Sequence, residues 1–299
     1  MRRGIKGLAL LAALPLALAA CSSGGDSAES SPSPANPGDV SGTVVFWDTS
    51  DSTNEAPTFK DLIKKFEAEY PNVTVDYQNV PFSEAQNKYK TAAQADNAPD
   101  VLRAEVAWTP EFASLGYLLP LTGTSLDTPD AYLPTPWSSN VYEDVVYGVP
   151  QVTDAPGLLY NKELLDKAGV EAPKTWDDVQ AASEKLKAEG VDTLYSATGG
   201  YFTLPYIYSF GGNTVDPAEQ KILINDPESV AGFQKALDLI DSGAAVKPDP
   251  NDAYNQQMAL FKEGKVAMII NGPWSVADIL TGKAFKGHED NLGVTTTPA

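Results

Sequence analysis

The stretch FEAEYPNVTVDY, Phe66 to Tyr77, contains the change of period that decides the fold. Just before it, Phe59, Leu62, Ile63 and Phe66 recur at helical spacing. Pro71 stops that helix, and Val73, Val75 and Tyr77 then alternate with polar residues as a strand does. Working outward, Thr43 to Trp47 reads as a buried strand ahead of the helix. A second helix is expected over about Glu84 to Gln94, after which Pro99-Asp100 leads into Val101 and Leu102. This β-α-β-α order predicts an α/β fold, with a parallel or mixed sheet covered by helices.

Farther along, the chain runs extended from Tyr147 to Leu159, broken by Pro150 and Pro156, and a new set of helices begins at Asn161. Thr175 and Asp178 form a capping-box start for a helix over about Trp176 to Glu189. Asp226-Pro227 reads as an N-cap followed by proline at the first helical position, with Gly243 ending that helix. Lys265 to Ile270 reads as a strand, Asn271-Gly272-Pro273 as a turn, and Trp274 onward as a helix. The pattern divides into a first lobe over 42–150, a crossing at 151–155 and a second lobe over 156–299. A last strand is expected over Leu292 to Thr296, and with no closing helix after it the chain reads as a C-terminally truncated fragment.

At the other end, Arg2, Arg3 and Lys6 precede an apolar run from Leu8 to Ala20, the layout of a secretory signal peptide over residues 1–20. That run is shorter than the roughly 20 residues a membrane-crossing helix needs. Leu18-Ala19-Ala20-Cys21 resembles the bacterial lipobox, which implies cleavage before Cys21 and lipidation of its sulfur. Cys21 is the only cysteine, so it has no disulfide partner in the chain. Residues 21–41, rich in Ser, Pro and Gly, read as a flexible tether. An ordinary signal peptide with an incidental cysteine is the competing reading. The expected location is the outer face of the cell membrane.

The net charge of −19 makes nucleic acid a poor partner, since binding it requires clustered Lys and Arg. Removing residues 1–20 takes away three basic side chains and no acid, which makes the balance more negative still. The acids are spread along the chain and read as a solvated surface. With a lipidated Cys21 and one histidine, His288 in a polar loop, neither a zinc site of the usual kind nor Cys–His catalysis is expected. There is no Walker A loop, no G-x-G-x-x-G and no calcium loop, so no cofactor or metal is expected. Paired carboxylates for glycoside hydrolysis stay open, because 40 acids permit many pairs.

Aromatic rings close to acids are what a sugar site needs: a pyranose stacks its C–H face on the ring, and ionised carboxylates accept from its hydroxyls. Glu105 with Trp108, Asp154 at the crossing, and Tyr201 with Trp274 fit that description. Read alone, a tryptophan such as Trp108 or Trp274 is more often a core residue.

Six stretches in order carry a resemblance over nearly the whole of the chain from Thr43 onward. They are FEAEYPNVTVDY (Phe66–Tyr77), APDVLRAEVAWTPEFASLGYLLPL (Ala98–Leu121), YGVP followed by LLYNKELL (Leu158–Leu165), PKTWDDV (Pro173–Val179), YFTLPYI (Tyr201–Ile207) and FKEGKVAMIINGPW (Phe261–Trp274). The chain resembles the extracellular solute-binding proteins of bacterial ABC importers, of the maltose-binding type. That resemblance implies a two-lobed periplasmic-binding-protein fold of the class II type, with a hinge and solute held in the interlobe cleft. It implies no enzyme, an oligosaccharide ligand, ABC permease membrane subunits as partners, and a monomer. By position, Trp274 matches a sugar-stacking tryptophan, Tyr201 a stacking tyrosine, Asp154 a hinge carboxylate and Asp51 a hydroxyl-binding acid. The segment with Glu105 and Trp108 matches a ligand loop of the first lobe. The family's best-known member has an Asp-Arg pair where this chain has Ala107-Trp108, and Ser52 and Gly199-Gly200 replace charged residues. RAEVAW resembles the wording of Gram-positive maltodextrin binders. The resemblance also implies that a further segment follows GVTTTP, contributing another stacking aromatic. Maltose or maltodextrin is therefore the first expected ligand. Trehalose, a xylo- or cello-oligosaccharide, a glycoside hydrolase and a purely structural surface lipoprotein are the alternatives.

Overall fold

The computed structural model describes residues 36–299; residues 1–20, Cys21 and most of the tether lie outside the described residues. The first sheet is parallel throughout, with β1 (Gly42–Asp48) between β2 (Val73–Asn79) and β3 (Val101–Leu102). In register, Asp48 stands opposite Asn79 and Trp47 opposite both Gln78 and Leu102. Helix α1 (Ala56–Glu69) connects β1 to β2, and α2 (Phe82–Gln94) connects β2 to β3. Tyr70 closes α1 directly ahead of Pro71, whose ring and missing N–H prevent continuation. Trp47, Val80, Ala85, Tyr89, Trp108 and Phe112 form the core beneath α2 and the short α3 (Thr109–Ser114). The apolar face read for α1 is only partly covered. Phe59 meets Phe46 edge-on at 6.0 Å, while Leu62 and Phe66 stay 52% and 41% exposed. Phe66 packs within its own helix end, stacked on Tyr70 at 4.8 Å.

Helix α4 (Pro134–Ser138) and a small hairpin, β4 (Val141–Tyr142) with β5 (Val145–Val146), lead into an extended run without regular structure over 147–156. The second sheet follows. Its order is β11 (Leu292–Thr295), β6 (Gly157–Asn161), β10 (Val266–Asn271), β7 (Asp192–Tyr195), with β6 antiparallel to both neighbours and β10 parallel to β7. Every residue of β10 is buried, as its unbroken apolar run requires of a strand covered on both faces. One face packs against α5 (Lys162–Ala168), α6 (Trp176–Ala188) and α8 (Pro227–Asp241) through Leu165, Val179, Leu186 and Leu239. The other packs against α9 (Ala253–Lys262) and α10 (Val276–Ile279) through Met258, Phe261 and Ile279.

The local signals decide the helix starts. Asn161 caps α5 by accepting from the Leu164 amide at 3.1 Å. At α6 the full capping box forms: Thr175 Oγ1 accepts from the Asp178 amide (3.1 Å), and Asp178 Oδ2 accepts from the Thr175 amide (2.9 Å). At α8, Asp226 occupies the N-cap position before Pro227, but its side chain makes no capping bond. Gly243, with φ at 78°, follows the end of that helix. Two further elements complete the set: α7 (Gly200–Ser209), and a hairpin of β8 (Val215–Asp216) with β9 (Lys221–Ile222). The last strand ends at Thr295, one residue short of the reading, and sits at the sheet edge.

Candidate functional site

Strand β10 ends at Asn271, and the turn after it aims Trp274. The Asn271 Oδ1 accepts from the Gly272 amide at 2.8 Å, and the Ser275 hydroxyl donates to the Gly272 carbonyl at 2.8 Å. The indole lies directly over Gly272: a Cβ there would stand 1.8 Å from the ring. Only glycine permits that approach. From the other side, Trp274 Nε1 donates to the Tyr254 hydroxyl at 2.9 Å, fixing the ring plane.

Tyr201 adds the next surface. It opens α7 behind Gly199, whose φ of 122° and ψ of 160° suit glycine alone, and whose carbonyl accepts from Thr203 Oγ1 at 2.6 Å. Its ring meets Trp274 at 5.3 Å and 64°, an edge-to-face pair. Its hydroxyl reaches Asp154 Oδ1 at the crossing, at 3.5 Å. Burial first, then the Asp154 carboxylate, push the Tyr201 phenol well above its ordinary value, so it remains a donor. Burial likewise raises Tyr254, and the fields of Asp278 and Asp51 add to it.

Asp51 faces this aromatic row from the loop after β1. Together with Asn54 of that loop, Tyr254, Met258 and Lys262 of α9, and Trp274 and Asp278, it lines a cleft of about 460 Å³. Partial burial pulls the Asp51 carboxyl upward, but hydrogen bonds from the Thr53 hydroxyl (2.6 Å) and the Thr53 and Asn54 amides (2.9 Å each) outweigh it and lower the value. All three bonds reach Oδ1, and none of them uses Oδ2. Lys262 is neutralised by its ion pair with Asp278.

Of the six residues singled out in the sequence, Asp51 and Trp274 line this cleft, and Tyr201 and Asp154 adjoin it through the Tyr201–Trp274 ring contact and the Tyr201–Asp154 hydrogen bond. Glu105 and Trp108 do not join them. The Glu105 carboxylate caps the turn Val106–Trp108 by accepting from the Ala107 amide at 2.8 Å. Trp108, 8% exposed, packs between Phe82 (5.3 Å) and Phe112 (6.1 Å), so its ring faces are spent on the first lobe's core. Two residues escaped the sequence reading. Tyr254 lies off the buried face of α9, which is marked by Ala253, Gln257, Met258 and Phe261. An exposed tyrosine beside that periodic face was the available signal. Arg103, the only arginine after residue 3, joins three segments. Its Nε donates to Gln151 Oε1 at the crossing (2.9 Å), Nη1 to Thr49 Oγ1 (3.4 Å), and Nη2 pairs with Glu55 (3.5 Å).

Two α/β units joined by an extended crossing, with a polar and aromatic cleft between them, define the two-lobed architecture of periplasmic binding proteins. The chain belongs to the bacterial extracellular solute-binding protein family, whose model matches residues 50–298. A maltotriose-binding protein of Pyrococcus abyssi is 27% identical over 242 residues, covering 80% of this chain and 51% of that protein. This chain therefore spans about half the length of that curated relative. The GacH receptor of Streptomyces glaucescens, solved unliganded and with acarbose and an acarbose homolog, superposes with a TM-score of 0.82 at 45% identity, over 87% of this chain and 67% of that one. Maltose-bound MalE3 of T. maritima gives a TM-score of 0.73 at 26% identity, over 86% and 67%.

Proposed function

We propose that this chain captures an α-linked oligosaccharide, maltose or a maltodextrin first, in the cleft between its lobes. It returns the sugar unchanged and delivers it to the membrane subunits of an ABC importer. The observation that carries this reading is the line Asp154–Tyr201–Trp274–Tyr254, whose Trp274 and Tyr254 share with Asp51 the lining of a cavity large enough for more than one sugar ring. The rings offer apolar faces to pyranose C–H groups, and the side-chain oxygens of Asp51 and Asp154 accept from hydroxyls. Relatives bound to or named for maltotriose, maltose and acarbose support maltose or a maltodextrin as the first ligand, beside a tagatose-bound relative and a multiple sugar-binding protein. Closure about 151–155 would bring the Asp51 loop onto the aromatic row.

Calorimetry against maltose, maltotriose, trehalose, xylotriose and cellotriose tests the assignment, with maltotriose or maltose expected to bind best. Tight binding of xylo- or cellotriose instead redirects it to another sugar. A reducing-end assay after incubation with maltodextrin should show no new ends. Lipid at Cys21 would hold the exported protein beside its permease, and two acyl chains at about 0.8 kcal/mol per buried methylene suffice for a durable anchor. Cys21→Ser should then release the protein into the soluble fraction, and retention on membranes overturns the anchor.

A further inference from the structure

Strand β1 ends on a carboxylate where an apolar side chain would be the cheaper choice. Asp48 has no exposed surface and forms no salt bridge among the described residues. A buried charge without a cation is costly unless hydrogen bonds satisfy it. Here they do. The Ser50 amide donates to Oδ1 at 2.9 Å, while the Ser50 hydroxyl (2.5 Å) and the Tyr77 hydroxyl (2.6 Å) donate to Oδ2. Asn79, opposite Asp48 in register, donates from Nδ2 to the carbonyls of Asp48 (3.2 Å) and Ser50 (2.9 Å). The bonds converge on Ser50, the residue immediately before Asp51. The bonds from Thr53 and Asn54 orient the Asp51 carboxylate within its loop; they do not tie the loop to the sheet.

We propose that Asp48, held by Tyr77, is a positioning residue for the ligand: it locks Ser50 to the sheet so that Asp51 stands in the cleft before the sugar arrives. Setting an acceptor in advance removes an ordering cost from binding. The proposal rests on the reading of Asp51 as a sugar-contacting acid. Burial, then the Asp48 carboxylate, push the Tyr77 phenol far above its ordinary value, so its proton stays in place as the donor. The Tyr77 ring meets Phe46 edge-on at 5.8 Å, so Tyr77→Phe removes the hydrogen bond and keeps the packing.

The test is a double-mutant cycle of Tyr77→Phe and Asp51→Asn, read by maltotriose affinity. Tyr77→Phe alone should weaken binding about fivefold, within the range for residues coupled in one hydrogen-bond network. In the Asp51→Asn background it should change affinity less than twofold. Equal weakening in both backgrounds means that Tyr77 acts on binding by a route independent of Asp51, and overturns the proposal. An unchanged affinity for Tyr77→Phe beside a weakened Asp51→Asn overturns it too. If Asp51→Asn itself binds maltotriose normally, the reading of Asp51 fails and the positioning role falls with it. Amide exchange in the sugar-free chain decides the matter without any affinity, should Asp51→Asn bind too weakly to measure. Tyr77→Phe should speed exchange over residues 49–55 and leave α6 and β10 unchanged; no local change overturns the clamp.

Discussion

The two lobes hold their proposed ligand groups by different physics. In the second lobe Trp274 is held by contact: a fully buried strand ends at Asn271, and the indole lies on Gly272 with no room for a methyl group. In the first lobe Asp51 is held by polar bonds. Asp48, Tyr77 and Asn79 anchor one shoulder of its loop, and Arg103 grips Thr49 and Glu55 around it. Packing is short-ranged and tolerates little change in volume. Hydrogen-bonded loops respond instead to charge and to the loss of single donors. The lobes should therefore fail differently when perturbed.

The largest effect is expected where packing and ligand meet. Trp274→Ala should cost about 2 kcal/mol of maltotriose binding, roughly 30-fold, as for a buried aromatic anchor. A loss below twofold would remove Trp274 from the site. Gly272→Ala tests the contact itself, since the new methyl must displace the ring. Titration calorimetry should show roughly tenfold weaker binding, about 1.4 kcal/mol. Normal affinity in Gly272→Ala would mean that the ring's resting place does not matter, and the contrast between the lobes would collapse.

The lobes also differed in how much the sequence disclosed. Period alone revealed the β-α-β-α order, because Pro71 separates a helical from an alternating pattern within a few residues. The capping box at Thr175 was legible because its partners are three residues apart. What depends on distant neighbours was hidden. Trp108 and Trp274 look alike in composition, but Phe82 and Phe112 enclose the first, and an open cleft borders the second. Residue chemistry singled out Asp154, Tyr201 and Trp274 but put Glu105 and Trp108 beside them without distinction; resemblance added Asp51 and the role of each. Asp48 was read past because a strand's last residue gives no sign that Tyr77, 29 positions later, will cover it. The α1 pattern identified an apolar face, and a face does not name its partner: Leu62 and Phe66 remain exposed.

A smaller effect separates fold stability from the cleft. Thr175→Ala removes one arm of a capping box far from Asp51 and Trp274 in sequence, and should cost about 1 kcal/mol of unfolding free energy by denaturant titration. Maltotriose affinity should stay within twofold. A matching fall in affinity would show that second-lobe stability and site geometry are not independent, and would weaken the interpretation of Gly272→Ala.

The smallest effect is a pH dependence that belongs to the first lobe alone. Burial pulls the Asp51 carboxyl upward, but the hydrogen bonds from Thr53 and Asn54 hold it below the ordinary aspartate range. For a lowered carboxyl, the favourable contribution is present above the unfolded value and is lost as pH falls through the folded one. Asp51 therefore stays ionised through neutral and mildly acidic solution, where its bonds from Thr53 and Asn54 are intact. Maltotriose affinity should be level from neutrality down to about pH 5 and fall only on approach to the Asp51 range. Asp51→Asn should flatten that acid limb, whereas Trp274→Ala should lower the whole profile without changing its shape. An acid limb that survives Asp51→Asn would remove Asp51 as its source and with it the first lobe's part in the pH dependence.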